Sequence, residues 1–495
     1  MGKTLNLAMK YFLLLLSLFS LSGKGIPRKP DRPNILFLAI DDLRPDLGIY
    51  GNAVVQSPNI DGLASQGMHF TNHYVQVPTC GASRSALLTG LRPRNGVQIN
   101  NNVFEKQTAG KPETTRPESL VHQLRRNGYY TVGIGKISHA VDGRVYAYDD
   151  APGDVMELPH SWNEFLFNPG KWKDGWDAFF GYASGESRQT LEGKVAPYER
   201  GNVDDMGYPD GLTAALAIEQ LKKCAKRDQP FFLGVGFFKP HLPFTAPDAY
   251  WNLYNREAMP LALSRTAPEG VSLASLQNSS EFNSYKSGDE QVTLQHPLSE
   301  AYSKKLVHAY YAAISYVDAQ VGKVLDELKR TGLDKNTIVV LWGDHGWHLG
   351  DHGVWGKHTL FEYSLKSPLI IKLPGKRNAK GAIGNVIESI DIFPTLLEWC
   401  NVPLPYAMDG RSFTERINNK PNNGEEVAYS YFNKGISLRT DRYRLTKYFR
   451  KQEPAIELYD HFADPGEQRN IAASAPDVVR QLMPLLEKGN IGLYK

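Results

Sequence analysis

Four apolar runs, each broken off by charged or metal-binding residues, constrain this chain more than any other feature. Pro33–Ile40 ends in Asp41 and Asp42, and Tyr129–Ile134 ends in Gly135-Lys136-Ile137-Ser138-His139. Pro230–Phe238 ends in Lys239-Pro240-His241, and Thr337–Trp342 ends in Gly343-Asp344-His345-Gly346. A continuous apolar run of this length reads as a strand buried on both faces, which occurs where helices cover both sides of a mostly parallel sheet. The C-terminal ends of parallel strands lie along one edge, where α/β proteins bind ligands, so the four clusters are expected to converge there. One such cluster is readily a solvated turn. Four of them carrying ligand chemistry point to a site.

The intervening segments fit this scheme. Ser57 and Pro58 cap and start a helix that Gly67 stops, and the segment from Glu118 to Asn127 reads as a helix closed by Gly128. Asp210 is expected to cap a helix carrying Leu212, Leu216 and Leu221, and Ser303–Arg330 reads as a long amphipathic helix. Pro368–Leu373 reads as a last core strand before a helical segment, Ile392–Trp399. The stretches Ala140–Gly207 and Leu261–Pro297 lack periodicity and read as long loops over the main domain, the usual place for substrate walls. Asn418–Gly424 reads as a linker, after which strand-like alternation over Gly435–Phe449, the Glu457–Asp460 element and a helical tail predict a small α+β domain. The expected boundaries are a leader over 1–25, a large α/β domain over 30–405 and a C-terminal subdomain over 425–495. A chain of 495 residues exceeds what one core usually serves.

Lys3 and Lys10, the apolar run Tyr11–Leu21 and the small residues up to Gly25 read as a secretory signal peptide, too short for a membrane span. No cysteine follows the run, so a lipid anchor is not expected, and removal of the signal would leave a soluble protein. Cys80, Cys224 and Cys400 make no disulfide framework, and Asn278 heads the one glycosylation sequon. A bacterial periplasm or the extracellular space is therefore expected. A net charge of +3, with no zinc-finger spacing or basic stripe, argues against nucleic acid as a partner.

Cys80 lies among small residues at an expected helix N-terminus, with Arg84 one turn on. The unpaired N–H groups of a helix start favour negative charge there. A buried structural thiol is the competing reading. Asp41, Asp42 and Asp344 offer hard carboxylate oxygens suited to Ca²⁺ or Mg²⁺. His345 adds a nitrogen, which leaves zinc as a rival metal, and a helix-capping Asp pair is the alternative without metal. Arg84, Lys136, Lys239, Lys357, His139 and His241 supply positive charge and protons. With a cation they form an anion hole for a tetrahedral centre, which suggests hydrolysis of a sulfate or phosphate ester.

The motif Cys80-Gly81-Ala82-Ser83-Arg84, followed by Leu88-Thr89-Gly90, resembles the signature of the type I sulfatases, whose cysteine is oxidised after translation to formylglycine (3-oxoalanine). Ile40–Asp46, Gly135–His139, Lys239–Phe244 and Gly343–Trp347 resemble the iduronate-sulfatase branch in particular, and the resemblance runs from Pro33 to Glu457–Asp460. It implies an alkaline-phosphatase-like fold and one Ca²⁺, with Mg²⁺ second, held by Asp41, Asp42, Asp344, His345 and modified Cys80. It further implies that the hydrated aldehyde at residue 80 attacks sulfur in line while His241 and Lys357 assist the departing sugar oxygen. His139 would then take a proton from the remaining hydroxyl, and Arg84 and Lys136 would hold the gem-diol and the developing charge. Lys239, Trp347 and Trp355 resemble substrate-side residues, with a core role open for either tryptophan. Many members have proline where this chain has Ala82, which leaves open which formylglycine-generating enzyme accepts the motif. The implied substrate is a sulfated carbohydrate, a 2-O-sulfated uronate or an algal sugar. A phosphonate or phosphodiester hydrolase and a non-catalytic sulfated-glycan binder are the rivals.

Overall fold

In the computed structural model of the chain, residues 32–375, 380–417 and 426–494 are described. The expected signal peptide and the expected linker at Asn418–Gly424 lie outside them. Among the described residues, no helix is long and apolar enough to cross a membrane.

The centre is an eight-stranded sheet in the order Gly381–Glu388, Met68–Tyr74, Leu369–Lys372, Thr337–Gly343, Asn34–Ile40, Phe231–Phe237, Tyr130–Gly135, Glu164–Leu166. Only Leu369–Lys372 runs against its neighbours, so the sheet is mostly parallel as expected. The four runs that end in polar clusters are adjacent at its middle. Ile40 stands level with both Phe237 and Gly343, and Gly135 pairs with Gly236. The clusters therefore leave the sheet at nearly one height on one edge.

The period of two along a strand explains why these runs are apolar throughout. Leu36, Leu38 and Ile40 face a layer built on the long helix Glu300–Arg330 and on Pro209–Cys224. Ile35, Phe37 and Ala39 face the opposite layer, which holds Leu87 and Leu88 of the helix Cys80–Thr89, Leu120 and Leu124 of Leu120–Arg126, and Leu396 and Leu397 of Ile392–Trp399. Burying each such side chain contributes roughly 1.5–3 kcal/mol, and both faces need it.

Beyond residue 425 a four-stranded antiparallel sheet, Ala428–Phe432, Gly435–Arg439, Tyr443–Tyr448 and Ile456–Asp460, packs on the helix Pro476–Lys488 through Leu482 and Leu486. A buried ion network, in which Arg444 pairs with Glu362 and Glu467 and Arg439 with Glu362, joins this sheet to the loop ahead of Leu369.

Three features differ from the sequence reading. Met68–Tyr74 and Gly381–Glu388 are strands of the sheet although neither is a clean apolar run. The first mixes His and Asn with its apolar residues, and the second is broken by glycines and shifts register between Ile383 and Val386. Glu164–Leu166, inside an expected loop, forms the far edge of the sheet. Asp210 does not cap its helix; it lies in the first turn, and its carboxylate accepts the N–H groups of Phe238 (2.7 Å) and Lys239 (3.0 Å). It thus fixes the chain where it leaves the Phe231–Phe237 strand toward His241.

Candidate active site

Asp41 and Asp42 leave the central strand fully buried. Asp42 has φ 57, a left-handed conformation that Asp tolerates better than most residues. Its N–H donates to Asp344 Oδ1 (3.0 Å) and its carbonyl accepts the Tyr310 hydroxyl (2.6 Å), so the turn is held from two sides. Cys80 is the first residue of its helix, as expected, and is 2% exposed. Gly81 next to it is obligatory, because a Cβ there would lie 2.6 Å from the Asn101 carbonyl oxygen. The Asn101 side chain in turn accepts the Gly81 N–H (2.9 Å).

Arg84, wholly buried, ties the strand ends together. Its Nε donates to Asp344 Oδ2 (2.9 Å), Nη2 to Asp41 Oδ1 (3.2 Å), and Nη1 to the Lys136 carbonyl. Ser83 Oγ donates to the Asp344 carbonyl (2.5 Å). Lys136 Nζ reaches Asp41 Oδ2 at 2.6 Å. Lys357 Nζ straddles both oxygens of Asp42 (2.9 and 3.0 Å) and lies 3.4 Å from Cys80 Sγ. His345 Nε2 is 3.3 Å from the same sulfur and 3.4 Å from Asp42 Oδ1.

Burial pushes the Asp41 carboxyl up, but Lys136, His241 and Arg84 outweigh it and hold the group well below the usual carboxylate range. Lys357 is likewise kept charged: burial disfavours its ammonium, and Asp42, Cys80 and Glu281 more than offset that. Burial, reinforced by Asp41, pushes the Cys80 thiol up to about 12. Burial and Lys136 drive His139 well below its usual value, which leaves its imidazole neutral.

Nine of the sequence-predicted residues thus form one cluster: Asp41, Asp42, Cys80, Arg84, Lys136, His241, Asp344, His345 and Lys357. One ligand-type atom from each of Asp41, Asp42, Cys80 and His241 falls within 4.8 Å of the others, and the same holds for Cys80, Asp344 and His345. Three of the six residues in this set are carboxylates, and together they could hold a hard divalent cation. His139 sits beside Trp176, with ring centroids 5.2 Å apart, in the field of Lys136, Asp41 and Arg84. Lys239 turns its ammonium inward to the carbonyls of His241 (3.0 Å) and Pro243 (2.7 Å), so it braces the loop that carries His241. Trp347 and Trp355 are both buried. Trp347 places its ring 5.2 Å from Lys357 Nζ, and Trp355 packs on Phe282.

One member had no sequence signal. Glu281, from the aperiodic stretch Leu261–Pro297, puts Oε1 3.0 Å from His241 Nε2 and Oε2 3.5 Å from Lys357 Nζ. No apolar run leads into it, so pattern reading passes over it.

Comparison with known proteins agrees with this geometry. The sequence profile of the sulfatase family matches residues 33–402. This chain is a sulfatase. A second profile, described as N-sulphoglucosamine sulphohydrolase, C-terminal, matches residues 350–489 of the sulfatase. The sulfatase is 32% identical to a "Sulfatase" of Formosa agariphila over 97% of its own length and 92% of that protein. It is 30% identical to iduronate 2-sulfatase of Mus musculus, over 80% of its own chain and 74% of the mouse protein. A solved structure in complex with D-glucosamine-2-N,6-O-disulfate superposes with a TM-score of 0.68 at 21% identity, covering 92% of this sulfatase and 97% of that chain, which shows the alkaline-phosphatase-like fold the two share. The chain is accordingly a sulfuric ester hydrolase.

Proposed function

We propose that this sulfatase removes sulfate from a carbohydrate, a 2-O-sulfated uronate or a similarly sulfated algal sugar, with Cys80 converted to formylglycine and one Ca²⁺ held by Asp41, Asp42, Asp344, His345 and residue 80. The observation that carries the reading is the seat of Cys80: one buried side chain enclosed by three aspartates, with His345 Nε2 at 3.3 Å and Lys357 Nζ at 3.4 Å. The similarity to iduronate 2-sulfatase supports a sulfated sugar.

Formylglycine supplies, as its hydrate, an oxygen nucleophile toward sulfur, and the cation adds charge that neutralises the sulfuryl oxygens. The remaining work falls to the chain's own side chains. Arg84 and Lys136, locked on Asp41 and Asp344, present fixed positive charge on one side of residue 80. Such charge needs no reorganisation as negative charge develops. His241 and Lys357 stand on the other side and donate a proton to the leaving oxygen. His139, neutral, accepts the proton that must leave residue 80. Trp347 and Trp355 back the sugar side, and Lys239 sets the loop there.

Conversion of Cys80 requires a formylglycine-generating partner that accepts Ala82 in the motif. The basic and apolar N-terminal run supports export to a bacterial periplasm or outside the cell, and the catalytic domain is assigned to 30–405 with a C-terminal subdomain over 425–495. Mass spectrometry of the peptide spanning Cys80, on protein from a host with the maturation enzyme, is expected to show the aldehyde. An assay of sulfated sugars beside phosphate and phosphonate esters is expected to favour the sulfates. A wholly unmodified thiol, or faster phosphate turnover, would overturn the proposal.

A further inference from the structure

The segment Gln277–Asn283 is strapped to the loop that carries Lys357. Gln277 Nε2 donates to the Lys357 carbonyl (2.7 Å), and Ser279 Oγ accepts the Trp355 N–H (2.9 Å). Gly356 lies between these anchors, and a Cβ on it would collide with the Gln277 amide. The strap then delivers Glu281 to the two side chains assigned to the leaving group. Its carboxylate side chain is 24% exposed, whereas those of His241 and Lys357 are only 4% and 3% exposed. It is the most exposed of the three.

His241 explains what the carboxylate does. Nδ1 lies 2.6 Å from the Leu242 carbonyl, which can only accept, so Nδ1 carries a hydrogen. Nε2 is therefore the nitrogen left to face the site, 3.0 Å from Glu281 Oε1 and 3.6 Å from Asp42 Oδ2. The second carboxylate oxygen draws the Lys357 ammonium from the same side. Glu281 thus stands, in the free site, beside the two nitrogens that a leaving ester oxygen would meet.

We propose that Glu281 is a positioning residue for leaving-group protonation. It holds Nε2 of His241 and the Lys357 ammonium turned toward the point where the ester oxygen departs. The assignment rests on the sulfatase mechanism given under Proposed function. As the new bond to sulfur forms, the ester S–O bond breaks and its electron pair stays on the leaving oxygen. That oxygen takes a proton from His241 or Lys357 and departs as the alcohol, while Glu281 keeps its own state. The contribution of such a residue depends on how much the leaving oxygen needs a proton.

A graded series of aryl sulfates, from 4-nitrophenyl to 4-methoxyphenyl, reads this dependence directly. Glu281→Gln keeps the size of the side chain and removes its charge. The ratio of wild-type to variant kcat is expected to rise from under about threefold for 4-nitrophenyl sulfate to about tenfold or more for 4-methoxyphenyl sulfate, with KM changing less. Glu281→Asp, which keeps the charge but draws it back, is expected to fall between, and it decides the matter if Glu281→Gln melts below the assay temperature. A ratio that stays flat across the series, whether near one or uniformly large, overturns the proposal. If the wild type prefers phosphate esters, the substrate reading fails, and the same ratio measured on the matching aryl phosphates still tests Glu281.

Discussion

Replacing Arg84 with lysine keeps the charge and removes the fork. The wild-type guanidinium makes directed contacts with three different strand ends: Asp344 at 2.9 Å, Asp41 at 3.2 Å, and the carbonyls of Lys136 and Ile137. An ammonium on a shorter stem can keep only part of that set. Asp41 retains Lys136 at 2.6 Å, but among the described residues Asp344 Oδ2 then has no cationic partner closer than His345 Nε2 at 3.8 Å. A hydrogen bond to a charged group contributes about 1.5–3 kcal/mol, and a buried carboxylate stripped of its partner raises the total loss to about 3–5 kcal/mol. The loss also lets the strand ends move relative to Cys80, so kcat/KM is expected to fall by about 10²-fold, as when one fixed donor is removed from an anion hole. Thermal unfolding of wild type and Arg84→Lys, each with added Ca²⁺ and with chelator, measures the first effect. Steady-state hydrolysis of an aryl sulfate measures the second. A variant that melts with the wild type under chelator and keeps its kcat/KM would refute the view that this guanidinium fixes the site.

Four further outcomes are expected. Gly81→Ala should displace Cys80, because its Cβ would meet the Asn101 backbone, and aryl sulfatase activity should fall at least about tenfold. Gly62→Ala, in a helix with open space around it, should leave activity intact and add roughly 0.4–1 kcal/mol of stability, read by thermal unfolding. Burial pushes the Glu157 carboxyl from 4.5 up to about 7, so the folded state binds a proton that the unfolded state has released, and wild-type stability falls as pH rises through that window. Glu157→Gln removes this dependence; denaturation at pH 5 and pH 8 should show the variant gaining on wild type by about 2.5 kcal/mol at the higher pH. Leu38→Ala, at a fully buried position of the central strand, should cost about 2–5 kcal/mol in the same denaturation assay.

The amino-acid order alone carried the core of the sheet and most of the site. Strands buried on both faces must be apolar along their length, and the residues that stop them are conspicuous for that reason. Asp41, Lys136, His241 and Asp344 could therefore be placed at one edge before any coordinates. Cys80 was legible because a helix start beside small residues is a local pattern. The structure decided what local pattern cannot carry. Met68–Tyr74 and Gly381–Glu388 become strands because the sheet offers them partners, against weak propensity of their own. Asp210 reads as a helix cap in sequence, yet it serves the Phe231–Phe237 strand end, a contact that exists only after the helix has packed. Lys357 lies in a loop and Glu281 in a four-residue helix, Ser280–Asn283, neither with a period to read, and a pair of hydrogen bonds between segments about eighty residues apart helps bring them to His241 and Asp42. Periodicity reports which face of an element is buried. It is silent on which loop will meet which, since that depends on long-range contacts made only in the folded chain.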